Sequence, residues 1–189
     1  MRLFVALEVP EVPLRDVRRR VDGLRDRLPR ARWVDFDNVH LTLLFLGETP
    51  ESDVPALAAG LREAFARCPP LDLRLGAGGT FPPGRPARVA WLGVEAPEEL
   101  TTLQKDITRA AVETVGFEPE ERPYTSHVTL ARCPDPWRRD AIEKFKSAFP
   151  GPIGPPWVAD HGTLFESKLS PKGARYRPVE VFPLEGEET

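Results

Sequence analysis

Two four-residue phrases could do chemistry: His40-Leu41-Thr42-Leu43 and His127-Val128-Thr129-Leu130. Each lies in an apolar run that reads as a β-strand, Val39 to Leu46 and His127 to Ala131. Side chains alternate faces along a strand, so His and Thr at i and i+2 share one face, ~6–7 Å apart at Cα. Leu41, Leu43, Val128 and Leu130 turn to the opposite face, into a core. Each phrase thus presents one imidazole and one hydroxyl on an otherwise buried strand. A free imidazole titrates near pH ~6.5, so one of a pair can act as acid while the other acts as base. The threonine hydroxyls can donate hydrogen bonds to oxygens that gain charge in a transition state.

A third phrase, His161-Gly162-Thr163-Leu164, fits the same pattern. Spacing selects among the three. His40 and His127 are 87 residues apart (127 less 40), and this offset also lays Phe4 on Trp91, Leu7 on Val94, Glu8 on Glu95, Pro10 on Pro97 and Glu11 on Glu98. His161 shifted back by 87 meets Arg74, and Thr163 meets Gly76. The first two phrases read as equivalent members of an internal repeat, about 1–86 and 87–184. His161 reads as a strand histidine near the cleft, its following glycine leaving the core nothing to pack.

The elements that must position these residues follow from periodicity and turn chemistry. Strand 3–9 leads into a helix 12–28 striped by Leu14, Val17, Val21, Leu24 and Leu28. A short strand 32–34 precedes the first motif strand, Ser52 caps a helix to Cys68, and strand 71–75 follows. The Gly/Pro-rich stretch from Gly76 to Pro86 joins the halves, Gly76-Ala-Gly-Gly79 reading as a turn. Strand 88–94, helix 97–115, the second motif strand, helix 136–149 and strands 157–165 and 175–182 complete the scheme. The fold class is α+β: a single bilobal domain over 1–189, its two pseudo-symmetric lobes each an antiparallel sheet with helices on the outer face. The cleft between the sheets holds both motifs.

Composition narrows the class of protein. Charged residues make up 29% and apolar residues 41%, ordinary for a globular chain. No apolar run approaches the ~20 residues of a membrane helix, and no leader pattern precedes the first strand, so no membrane partner is expected. Cys68 and Cys133 lack metal or redox spacing, which points to a reducing cytoplasm. The net charge of −3 gives no general attraction to nucleic acid, so any RNA contact must be local.

The paired phrases, at this spacing in a chain of this size, resemble the motifs of the 2H phosphoesterase superfamily. Their flanks resemble its RNA 2',3'-cyclic phosphodiesterase (2'-5' RNA ligase) branch. The supporting segments are Arg32-Trp33-Val34, His40 to Gly47, Arg85 to Val89, Arg122 to Arg132 and Leu169 to Tyr176. The resemblance spans about Met1 to Leu184. It implies metal-free opening of an RNA 2',3'-cyclic phosphate to a 2'-phosphate, with His40 as proton donor, His127 as proton acceptor, and reverse 2'-5' ligation by the same groups. No cofactor or metal is needed for these roles. The expected partner is an RNA end or a small nucleotide, handled by a monomer.

Around this pair, Arg132 can bind phosphate as a bidentate donor, and Phe45, Phe81 and Tyr124 are candidates for stacking on a base. Lys168, Lys172 and Arg175, in a hairpin, offer a landing place for RNA backbone. Three other functions stay open: a non-catalytic RNA- or nucleotide-binding module of the same fold, a phosphodiesterase acting on small cyclic nucleotides, and a zinc site built from all three histidines.

Overall fold

Apolar residues recur at helical spacing in four segments, and each becomes a helix with one buried face. In α1 (Glu11–Leu24) the buried stripe is Leu14, Val17, Val21 and Leu24. In α2 (Val54–Arg67) it is Leu57, Leu61, Ala64 and Phe65. Helix α3 (Glu98–Val115) buries Leu100, Leu103, Ile107 and Ala111, and α4 (Arg139–Ala148) buries Ala141 and Phe145. The structure is a computed structural model and describes residues 1–188.

The described residues hold nine strands: β1 (Arg2–Glu8), β2 (Arg32–Trp33), β3 (His40–Glu48), β4 (Leu71–Phe81), β5 (Ala87–Glu95), β6 (His127–Trp137), β7 (Ile153–Ala159), β8 (His161–Ser170) and β9 (Gly173–Pro183). They pair antiparallel in the order β7-β4-β5-β6-β3-β1-β8-β9, with β2 on β6. Strands β3 and β6 meet at one register pair, Leu41 with Val128, both fully buried. The sheet therefore divides there into two four-stranded blocks, β3-β1-β8-β9 and β6-β5-β4-β7. Helices α2 and α3 pack on the first block, and α1 and α4 on the second. This is the α+β class that the sequence predicts, with the motif strands side by side at the seam.

The blocks are not the two halves of the chain. Strand β4 pairs with β5, while β8 and β9, near the C-terminal end, add to β1. The stretch Gly76–Pro86 thus lies within β4 and the β4–β5 turn of one block, not at a junction between lobes. Gly76-Ala-Gly-Gly79 is strand rather than turn, and close packing accounts for Gly78 and Gly79. A Cβ on Gly78 would sit 3.1 Å from Phe145 and from Phe149, and one on Gly79 would land inside the Trp91 indole. Gly162 is similar: the space a Cβ would take is filled by the Phe65 ring of α2, so the core does pack there.

Other boundaries differ for local reasons. Helix α1 ends at Leu24, and Arg25–Arg27 tighten into a 3-10 turn. Ser52 bonds the Asp53 carboxylate instead of capping α2, which starts at Val54. Strand β6 runs on to Trp137, paired with Ala87, so α4 starts at Arg139. The expected strand 157–165 is two strands broken at Asp160.

Candidate active site

Both motif histidines are oriented by their own backbone. His40 Nδ1 lies 2.7 Å from the Asn38 carbonyl oxygen, and His127 Nδ1 lies 2.7 Å from that of Thr125. A carbonyl only accepts, so Nδ1–H donates in each case and Nε2 is left free. Aromatic neighbours hold the rings. His40 packs on Phe4 with centroids 5.0 Å apart and edge-on to Tyr176 at 5.3 Å. His127 packs edge-on to Phe81 at 5.1 Å and against Trp91 at 5.7 Å. Trp91 occupies the space left by Gly79, which explains why a residue without a side chain stands there.

The Leu41–Val128 pair sets the motif residues against each other. Extended by one residue each way, that antiparallel register puts His40 opposite Thr129 and Thr42 opposite His127. Opposite Cα atoms lie ~4.5–5.5 Å apart and next-but-one Cα atoms ~6–7 Å apart, so the histidines occupy a diagonal of roughly 8 Å at Cα. All four side chains line one cavity of about 330 Å³, together with Arg132, Phe45, Arg2, Phe4, Asn38 and Tyr176. A space of that size suits a mononucleotide-sized group.

Burial lowers the His40 pKa; Arg132 and His127 add to the lowering, and the Asn38 carbonyl and Glu8 oppose it. Burial and Arg132 lower that of His127 as well, against the Thr125 carbonyl. Both imidazoles are thus biased toward the neutral form. Their cross-strand neighbours differ. Glu8 is the register partner of His40, but the partner of His127 is Gly93, not Glu95, the residue 87 positions after Glu8. The two halves differ there by a two-residue slip in register, and only His40 has a carboxylate beside it.

Of the residues that sequence singled out, His40, His127, Thr42, Thr129, Arg132 and Phe45 share the cavity. Phe45 is 49% exposed, with the Arg2 guanidinium 5.2 Å from its ring centroid. Tyr124 is elsewhere: half-buried, it donates its hydroxyl to the Thr42 carbonyl oxygen at 2.9 Å and so braces β3 from outside the cavity. Phe81 serves as a wall for the His127 ring. Lys168 and Arg175 alternate with the cavity-lining Ser167, Leu169, Ala174 and Tyr176, so they face away from the cleft. His161 is also outside the cavity. Its Nδ1 is 2.6 Å from Asp160 and its Nε2 is 3.7 Å from Glu8. Among the described residues no group of three His, Cys, Asp or Glu side chains is disposed to hold a metal.

Sequence reasoning missed Arg2, Phe4, Asn38 and Tyr176 as cavity residues. Phe4 carried a signal, since it aligns with Trp91 at the 87-residue offset and does the same work on the other ring. Arg2 reaches the site through the β1–β3 pairing and Tyr176 through the β1–β8–β9 pairing, which no local pattern announces.

Comparison with known proteins agrees with this geometry. A family model described as the 2'-5' RNA ligase superfamily matches residues 13–164. The chain is 33% identical over 186 residues to a Methanothermobacter thermautotrophicus protein named RNA 2',3'-cyclic phosphodiesterase, covering 97% of this chain and 99% of that one. It is similar to a solved structure from Thermus thermophilus, with a TM-score of 0.83, 31% identity and full coverage of both chains. It is also similar to Escherichia coli LigT solved in complex with 3'-AMP, with a TM-score of 0.75, 28% identity and 97% of each chain covered.

Proposed function

Because the chain belongs to the 2'-5' RNA ligase superfamily, we propose that it hydrolyses RNA 2',3'-cyclic phosphate ends to 2'-phosphates by paired-histidine acid–base catalysis. The observation that carries the proposal is the convergence of His40 and His127, each with Nδ1 on a backbone carbonyl and Nε2 free, in one cavity with two threonines and an arginine. In the forward step a water oxygen attacks phosphorus and His127 Nε2 takes its proton. The bond from phosphorus to the ribose 3'-oxygen breaks, and His40 donates the proton that oxygen needs. Thr42, Thr129 and Arg132 bind the non-bridging oxygens, whose charge rises in the transition state. With the 5'-hydroxyl of a second strand in place of water, the same transfers form its bond to phosphorus as the bond to the 3'-oxygen breaks, leaving a 2'-5' phosphodiester, so ligation needs no other group.

The division of roles rests on the register difference. A carboxylate next to an imidazole favours its protonated form, and Glu8 stands beside His40 while Gly93 stands beside His127. Glu8 acts on His40 more weakly than burial and Arg132, but His127 has no such neighbour, which supports His40 as the donor and His127 as the acceptor. Neither role requires a metal. One copy of the chain supplies every group, which suits a monomer, and two buried free thiols suit a reducing cytoplasm. No helix of the described residues is long and apolar enough to cross a membrane.

The test is to incubate the protein with an oligoribonucleotide ending in 2',3'-cyclic phosphate, with EDTA present, and identify the product. We expect turnover to a 2'-phosphate. A strict Mg²⁺ or Zn²⁺ requirement, or a 3'-phosphate product, would defeat the proposal. The mononucleotide-sized cavity and the 3'-AMP complex of the related LigT favour a second substrate class, small 2',3'-cyclic nucleotides, through the same chemistry.

A further inference from the structure

Resting on that proposal, we infer that Arg32 and Arg132 together form a subsite for a second phosphate, the one on the 5' side of the terminal nucleotide. Arg32 of β2 is the direct register partner of Arg132 of β6. Cross-strand partners share a face of the sheet, with Cα atoms ~4.5–5.5 Å apart. That face is the cleft face, because Arg132 lines the cavity and so does Val34, which follows β2 two residues after Arg32 and donates its N–H to the Leu130 carbonyl oxygen of β6. Like charges directly opposite each other destabilise a strand pair. Among the described residues no carboxylate forms an ion pair with either arginine. Both guanidiniums are exposed. An uncompensated pair of cations at a cleft, held at a cost in repulsion, suits an anionic ligand that supplies the missing charge.

One phosphate does not use both arginines well. Arg132 lines the same cavity as both histidines and both threonines, so it serves the reacting phosphate. Arg32 lies farther along the same edge of β6, beyond the Leu41–Val128 pair, and is outside the cavity that holds the histidines. The next anion along an RNA strand is the 5'-phosphate of the same nucleotide, one ribose away from the cyclic ester. A plain 2',3'-cyclic nucleoside lacks it, so Arg32 discriminates polynucleotide ends, and 5'-phosphorylated nucleotides, from bare cyclic nucleotides. The β8–β9 hairpin cations do not compete for this role, since Lys168 and Arg175 face the opposite way.

The experiment compares kcat/KM for three substrates: adenosine 2',3'-cyclic phosphate, the same compound carrying a 5'-phosphate, and a dinucleotide ending in the cyclic phosphate. In the unaltered enzyme we expect the two substrates with the additional phosphate to be favoured on the order of 10–100-fold, the range for a charge-assisted hydrogen bond. In Arg32→Gln that ratio collapses toward one, chiefly through KM, and Arg32→Lys restores part of it. A dinucleotide favoured as much in Arg32→Gln as in the unaltered enzyme, or no preference in the unaltered enzyme, would overturn the subsite while leaving the proposed reaction intact. A preference for the dinucleotide alone, without one for the 5'-phosphorylated mononucleotide, would also overturn it, assigning selectivity to the second base. Failure to turn over any of the three would overturn the proposed function itself. Arg32→Gln should melt no lower than the unaltered protein, since it removes a repulsion.

Discussion

At the scale of single residues the site is a matter of protons. His40→Ala and His127→Ala should each lower kcat by on the order of 10²–10⁴-fold, because each removes a transfer partner. The double variant should lose less than the product of the two, as groups acting together do. His161→Ala, with the same local sequence, should retain activity within about tenfold, since that ring takes no proton-transfer role. A His161 variant as inactive as the other two in a folded protein would revive the three-histidine site. The pH profile has a sign that follows from burial. Both motif histidines are lowered from the usual imidazole value. The acceptor must be neutral and the donor protonated, so kcat/KM should be bell-shaped with its maximum on the acid side of pH ~6.5. A profile flat from about pH 5 to 9 would count against paired histidines.

At the scale of elements, β4 and β8 are shaped by glycines that admit large rings. Gly79 leaves room for the Trp91 indole, which in turn supports the His127 ring. Gly162 leaves room for Phe65 of α2. An added methyl at either position overpacks the interior and should cost ~1–3 kcal/mol, read as a lower denaturation midpoint. The two should differ in function. Gly79→Ala displaces a wall of the site and should lower kcat beyond its effect on stability. Gly162→Ala acts on the far side of β8, against the helix layer, and should leave kcat of the folded fraction near that of the parent. Equal kcat losses in the two variants would mean that Trp91 does not position His127.

At the scale of the whole molecule, stability and catalysis oppose each other. A histidine whose folded pKa is depressed binds a proton more readily unfolded than folded. Its contribution is therefore present above the unfolded value of ~6.5 and lost as pH falls through the folded value. His40 and His127 both shift in that direction, so the protein should lose melting temperature as pH drops from about 7.5 to 5. A variant with both histidines replaced by glutamine should lose less over the same range. Identical slopes for the two proteins would remove the histidines from the acid response.

The residues that share the cavity from the two motifs were legible in sequence because their signal is local. A His and a Thr two apart on an apolar strand share a face whatever the rest of the chain does, and the 87-residue offset singled out the pair from three identical patterns. Helix faces were legible for the same reason, since a stripe such as Leu14, Val17, Val21 and Leu24 reports its own burial. Only the tertiary structure decided what depends on pairing between distant strands. The β3–β6 register set His40 diagonal to His127, a two-residue slip gave one histidine a carboxylate neighbour and the other a glycine, and β2 brought Arg32 beside Arg132. Gly76 to Gly79 read as a turn because a glycine required by an approaching ring looks, in one dimension, like a glycine required by a bend. Local periodicity is written in the chain itself. Register and close approach are written in the partner, and a partner far along the chain leaves no mark on the strand it meets.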